Sequence, residues 1–435
     1  MSTVPTVNDA VPGQCRRWLI QAPLVVDAAG RRGSPGAILL DEKGIIAAGP
    51  AQSIGTPSGT ALQRRPDVVL LPALVNAHCH LDLSAIGPLA YPGSFVGFID
   101  EVRRLRAIDE ASIARGVGRG IELARAGGTA MVGDIAGWVS RSTWTVPINQ
   151  LRSAGMPGVS YLEVFGIGRR QDDAIGVLRE AAAGIPRSCE GVRLGLSPHA
   201  LYSCGPRVYS AAARLGLPIA THLAETLEEL ELTQCATGPL VGLVKRLGLW
   251  DPSIASDRGH PVDLVVKAMG GGPFVGAHLN YVSPRHIHTL AAGGGSVVYC
   301  PRASRYFGHP HNDHPPHRYR QMLAAGVNVA LGTDSLLCLD TPQRISVLDE
   351  MRYLFGRDGT QPLCLLRMAT VAGAVALGFD PALVTFSPGP TAGVLAVRFD
   401  PARDDDPLRQ ILTRTDPPQW VAGPLPSAAA LATNT

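Results

Sequence analysis

Several things are scarce in this sequence. Aromatic residues make up 5% of the 435 positions, and the formal net charge is only +3. No block of like charge stands out, and the arginine pairs are scattered along presumed helices. A nucleic-acid partner, which needs a basic stripe, therefore has no footprint here. No apolar run reaches the length that spans a bilayer. The opening stretch, MSTVPTVNDAVPGQCRR, lacks the basic-then-apolar order of a signal segment. These absences lead us to expect a soluble, cytoplasmic protein.

Cysteines are few and far apart. The eight are Cys15, Cys79, Cys189, Cys204, Cys235, Cys300, Cys338 and Cys364, with no Cys-x-x-Cys among them. That spacing argues against a cysteine-rich zinc site and against a disulfide framework, so reduced core residues are expected.

Glycine and proline are plentiful, at 49 and 36, which suits a fold with many short turns. Between Arg17 and Leu70 the chain reads as short strands and turns: WLIQAPLVVD, GAILLDEKGIIAAGP, DVVLLPALVN. The tail after Phe386 has the same character. A small β-sandwich built from both termini, residues 1–70 and 386–435, is the expected second domain. The middle, residues 71–385, alternates strand-like runs with helix-like stretches. Counting LLPALVNAHCHLD as the opening strand, about eight βα units follow, the number that closes a (β/α)8 TIM-like barrel. A longer, partly helical insertion spans 226–272, and FGHPHNDHPPHRYR reads as a His/Pro-rich loop.

Polar residues gather where the apolar runs end. The first run ends in His78 and His80, the fourth in His199, the fifth in His222 and Glu225. The sixth ends in His278 and the eighth in Asp334. C-terminal ends of barrel strands share one mouth, so these positions can converge. Side chains two apart on a strand face the same way. His78 and His80 can thus grip one ion while Cys79 packs behind them. With His222 and Asp334 they make a four-ligand set suited to Zn²⁺ or Fe²⁺. A lone histidine at a strand end is usually a hydrogen-bonded structural residue, and a lone His-x-His is weak evidence. The joint pattern is what favours a metal. Asp82 reads equally as a supporting partner or a turn residue. His309, His311, His314 and His317 could form a second metal tract. Their prolines and irregular spacing favour instead a loop near the barrel mouth, with His309 available to substrate.

The motifs NAHCHLD, LSPHALYS, THLAETLEELEL, GAHLNYVS, VVYCPRASRYFGH and VNVALGTDSL together resemble the amidohydrolase superfamily, in its metal-dependent deaminase branch. The last two are similar to aminodeoxyfutalosine deaminase-like proteins of menaquinone synthesis. Their substrate is a 6-aminopurine nucleoside bearing a benzoate. The run LLCLDTPQRISVLDE departs from that group's pattern. The resemblance implies that His78, His80, His222 and Asp334 ligate metal and that Glu225 shuttles protons. It implies further that His278 orients water or substrate, that His199 contacts substrate, and that Asp334 also takes the water proton. No lysine ends the fourth strand, which implies a single ion. Arg302 and Arg305, just past the seventh strand, read equally as residues that cap or solvate the loop and as cations of which, on this resemblance, one meets the benzoate, since arginine forks suit carboxylates. The expected function is hydrolytic deamination of an amino-substituted purine nucleoside or related N-heterocycle. Rivals are hydrolysis of a cyclic amide or triazine-like ring, and a metal-free binding scaffold. The expected partner is a small heterocycle, and a homodimer is compatible with the chain.

Overall fold

The structure, a computed structural model, describes residues 17–30, 32–137, 140–311 and 313–423. Cys15 and the outer ends of the expected terminal domain, 1–16 and 424–435, lie outside the described residues.

The apolar run that opens the middle region is two strands. Val68–Pro72 pairs antiparallel with Val394–Arg398 and parallel with Leu24–Val26. After Ala73 the chain enters β1, Leu74–His80, which runs parallel to β2, Thr129–Gly137. One continuous hydrophobic stretch therefore serves two sheets, because both are buried on the faces it presents.

Strands β3 (Gly158–Val164) and β4 (Val192–Pro198) extend the first parallel sheet. Strands β5 (Ala220–Leu223), β6 (Val275–His278), β7 (Ser296–Tyr299) and β8 (Asn328–Leu331) form a second parallel sheet. The arrangement is TIM-barrel-like, but the strand ladder is not one continuous ring. The two sheets meet through single bonds: Leu196 N donates to Pro218 O, and His222 N to His199 O. At the other edge Gly332 N donates to Tyr299 O and Thr333 N to His78 O. The short segment Asp334–Ser335 then pairs with β1 beside Cys79 and His80. Strand ends that turn to aim side chains at one point cannot also keep a regular ladder, and the breaks fall there.

The terminal segments form a four-stranded and a five-stranded sheet. Ile20, Ile38, Leu70, Phe386 and Val394 share one buried cluster drawn from both. The Asp27 carboxylate accepts from Phe386 N at 2.8 Å, tying the two ends of the chain.

The insertion carries helices Leu227–Leu230, Pro239–Arg246 and Pro261–Ala268. Arg246 of the second bonds Asp100 of helix Phe95–Leu105 at 2.5 Å. No helix among the described residues is long and apolar enough to cross a membrane. The seven described cysteines are all free. Four are buried, but Cys235 is exposed and Cys189 and Cys364 half-buried, so three are not the core residues expected.

Candidate metal centre and substrate cavity

His78, His80 and His222 converge at the ends of β1 and β5. His80 Nε2 lies 3.2 Å from His222 Nε2 and 3.5 Å from Asp334 Oδ1. The His78 ring sits 4.9 Å from the His222 ring, and its Nε2 is buried without a partner. His222 donates from Nδ1 to the His199 carbonyl at 3.2 Å, which leaves its Nε2 with a lone pair. Burial holds all three imidazoles below their usual pKa, His222 at about 4, so they are neutral and ready to ligate. Lone pairs gathered at one buried point, with a carboxylate beside them, favour a cation. The His78, His80 and His222 donor atoms lie within 4.8 Å of one another, and this donor set fits a divalent ion.

Local structure fixes these positions. Asn76 grips Thr333 twice, through Nδ2 to Oγ1 at 2.7 Å and Oδ1 from N at 3.1 Å, and so presents Asp334 beside β1. Ala224, His278, Leu279 and Asp334 all have φ between 48° and 70°, a left-handed backbone that costs non-glycine residues energy. Four such positions fall at or beside the sequence-derived site residues.

Glu225 lies beside the ligand cluster without duplicating it. Its Oε1 is 3.6 Å from His278 Nε2, and burial raises its pKa well above the carboxylate range, with Asp334, Glu229 and Glu228 adding to the effect. Glu225 N donates to Glu229 Oε2 at 2.9 Å, and Asn280 Nδ2 donates to Glu225 O at 3.0 Å. His278 is kept neutral by burial. Asp334 is pushed up to about 7, chiefly by burial.

A cavity of about 610 Å³ opens onto His80, His199, His222, Glu225 and Asp334. Its other walls are largely apolar, from Phe98 and Val102 to Leu243, Leu247 and Phe307. The volume suits a small organic ligand.

Arg302 and Arg305 are not brought to this cavity. Arg302 is buried, bonding Glu350 through Nε at 2.6 Å and Asp340 through Nη1 at 3.1 Å. Arg305 bonds Asp340 at 2.6 Å. Acidic partners contributed by later segments capture both guanidiniums. His309 is buried, with Nδ1 2.8 Å from the Tyr281 hydroxyl, and does not line the cavity either. His317 bonds the His278 carbonyl at 2.8 Å. Among the described residues the loop histidines make no ligand cluster. Cys79 points away from the metal cluster toward Gly133 O. Asp82 does not support a histidine; its Oδ2 accepts from Arg106 Nε at 3.0 Å.

Among the cavity residues that escaped the sequence reading are Glu163 and Arg106. Glu163 ends β3, 99% buried, and Arg106 follows helix Phe95–Leu105. Arg106 Nη1 lies 3.5 Å from Glu163 Oε2. The guanidinium packs on Gly137, where a Cβ would come within 2.4 Å of it. For Glu163 a signal existed: a lone acid at the end of an apolar strand, the pattern that singled out the histidines. For Arg106 none did.

Residues 69–413 match the family model described as the amidohydrolase family. The chain belongs to that family. It is 28% identical over 390 residues to an aminodeoxyfutalosine deaminase of Deinococcus radiodurans, covering 83% of this chain and 85% of the relative. It is 27% identical over 391 residues to a 5-methylthioadenosine/S-adenosylhomocysteine deaminase of Halobacterium salinarum, covering 84% and 81%. Among solved structures, a zinc-bound adenosine deaminase of Xanthomonas campestris superposes with a TM-score of 0.68. The two chains share 21% identity, over 92% of this one and 90% of the other.

Proposed function

We propose that this protein is a metal-dependent hydrolytic deaminase of an amino-substituted purine nucleoside or related N-heterocycle, with aminodeoxyfutalosine the leading candidate. The observation that carries the reading is Glu225: a carboxyl that burial holds well above its usual pKa, beside His78, His80, His222 and Asp334 and lining a largely apolar cavity. The relatives in sequence carry deaminase names, which supports the same chemistry. The fold is read as a (β/α)8 barrel over 71–385 with a β-sandwich assembled from 1–70 and 386–435.

His78, His80, His222 and Asp334 would hold one divalent ion, zinc by preference for this nitrogen-rich set and iron(II) as the alternative. When bound, such an ion supplies Lewis acidity that lowers the pKa of water to about 7. Asp334 takes a proton from the attacking water. Glu225 gives its proton to a ring nitrogen, which makes the adjacent amino-bearing carbon electrophilic. His278, neutral and 3.6 Å from Glu225 Oε1, orients the groups between them. Water oxygen adds to the ring carbon, Asp334 passes the proton it took to the amino group, the C–N bond breaks to release ammonia, and the remaining hydroxyl proton returns to Glu225 as the carbonyl forms. His199 lines the cavity beside this point and contacts substrate.

A carboxylate-bearing substituent would not reach Arg302 or Arg305. It would meet Arg103 and Arg170, which line the cavity, are exposed, and have no ion-pair partner among the described residues. The test is a screen of aminopurine nucleosides and bases for ammonia release and ultraviolet change. Turnover of an aminopurine supports the reading. Hydrolysis confined to cyclic amides or halogenated triazines contradicts it.

A further inference from the structure

The His/Pro-rich loop grips the turn that leaves β6. His278 closes that strand with φ 70°, and Leu279 follows with φ 53°. Two successive left-handed residues, neither of them glycine, cost energy and persist only where their surroundings hold them. The Leu279 amide donates back to Ala277 O at 3.1 Å, across His278, so the bend is a γ-turn of the strained, positive-φ kind. The His278 carbonyl accepts from His317 Nε2 at 2.8 Å. His317 Nδ1 accepts from Tyr319 N at 3.1 Å, which puts the ring proton on Nε2. Burial holds this imidazole neutral, with its pKa lowered to about 3. The ring lies flat on Tyr299, centroids 3.6 Å apart and planes within 12°. The Tyr299 hydroxyl in turn accepts from Arg357 Nη1 at 3.0 Å. His317 therefore cannot swing away without losing two hydrogen bonds and a stacked ring. Further bonds fasten the loop to the same turn. His311 N donates to the Tyr281 hydroxyl at 3.1 Å, and Arg318 Nε donates to Val282 O at 2.9 Å.

We propose that His317 is a positioning residue of the reaction: by donating to the His278 carbonyl it holds the strained turn that faces the His278 imidazole toward Glu225, 3.6 Å away. The inference rests on the deaminase reading and deepens it. His317 touches no reacting atom and acts through His278. Packing against Tyr299 would be served equally by phenylalanine; a hydrogen bond to a buried carbonyl would not. A displacement of about 1 Å at a group that orients reactants can cost about 10²-fold in rate.

The experiment sets two substitutions against each other. His317→Phe keeps a ring to stack on Tyr299 but has no donor. His317→Gln gives up the ring, yet its amide N–H reaches the place of the imidazole donor. With metal-loaded protein and adenosine, His317→Phe should lower kcat by about 10-fold or more, with KM within a few fold and metal content unchanged. His317→Gln should recover most of that loss. Added to His278→Ala, His317→Phe should cost little more, because both changes break the same link. Crystal structures of the two variants supply a reading that needs no turnover: His278 shifted from Glu225 in His317→Phe, and in place in His317→Gln. Near-normal kcat in His317→Phe overturns the inference. So does a His317→Gln variant as slow as His317→Phe, or a double variant whose losses multiply. Each of these leaves the deaminase reading standing. If wild type turns over no aminopurine, the deaminase reading fails instead. The crystal structures then still decide whether His317 holds His278, and an unmoved His278 in His317→Phe overturns it.

Discussion

Glu225 and Asp134 are both buried carboxyls with raised pKa values, yet they call for different experiments. On the proposed mechanism Glu225 delivers a proton, so Glu225→Gln should keep its metal and lower kcat by about 10²-fold or more. Metal analysis beside steady-state kinetics checks this; near-normal turnover at full occupancy would remove Glu225 from the mechanism. Asp134 has no such role. Its Oδ1 accepts from Leu81 N at 3.1 Å, and its other oxygen is buried and unpaired. Burial, and then Asp82, raise it from 3.8 to about 8. The folded state therefore keeps a proton that the unfolded state gives up. Its contribution is fully present below pH 3.8 and is lost as the pH rises toward about 8. Asp134→Asn removes that dependence. Relative to wild type, the variant should gain stability between pH 5 and 8, by at most about 1.4 kcal/mol per pH unit. Urea unfolding at the two pH values reads it out, and a pH-independent difference would contradict the assignment.

At the scale of elements, the site is built from strand ends, and that is why much of it was legible. His78 and His80 announce themselves because strand periodicity puts both on one face. His222, Glu225, His278 and Asp334 stand out as polar residues closing apolar runs. Arg302 and Arg305 show the limit of that reasoning. Proximity to β7 suggested the mouth, but Glu350 and Asp340, 48 and 35 residues further on respectively, claim their guanidiniums. Which partner an arginine finds is a tertiary fact. The Asp82–Arg106–Glu163 link was hidden for the same reason, since it joins a strand-end turn, a helix end and β3. Gly137, closing β2, is where that link depends on backbone. Gly137→Ala should push Arg106 off its seat and leave two carboxylates without their cation, at a cost of about 3 kcal/mol. Denaturant unfolding measures this; a cost below about 0.5 kcal/mol would mean that Arg106 simply slides aside.

At the scale of the whole molecule, the alternation of strands and helices made the barrel-like middle legible, and short runs between turns marked the terminal sheets. What could not be read was where one sheet hands over to the next. Val68–Pro72 and Leu74–His80 form one hydrophobic run that belongs to two sheets, and the handover at Ala73 leaves no trace in periodicity. The central claim spans all of these scales: a single divalent ion, held by residues more than 250 positions apart, makes the chain a deaminase. The most direct measurement is ammonia release from an aminopurine nucleoside by the metal-loaded protein, the chelator-treated protein, the reloaded protein and His80→Ala. The account predicts one metal ion per chain and turnover that disappears on chelation and returns on reloading. His80→Ala should lack both metal and activity. Undiminished turnover without metal, or wild-type metal content in His80→Ala, would contradict it.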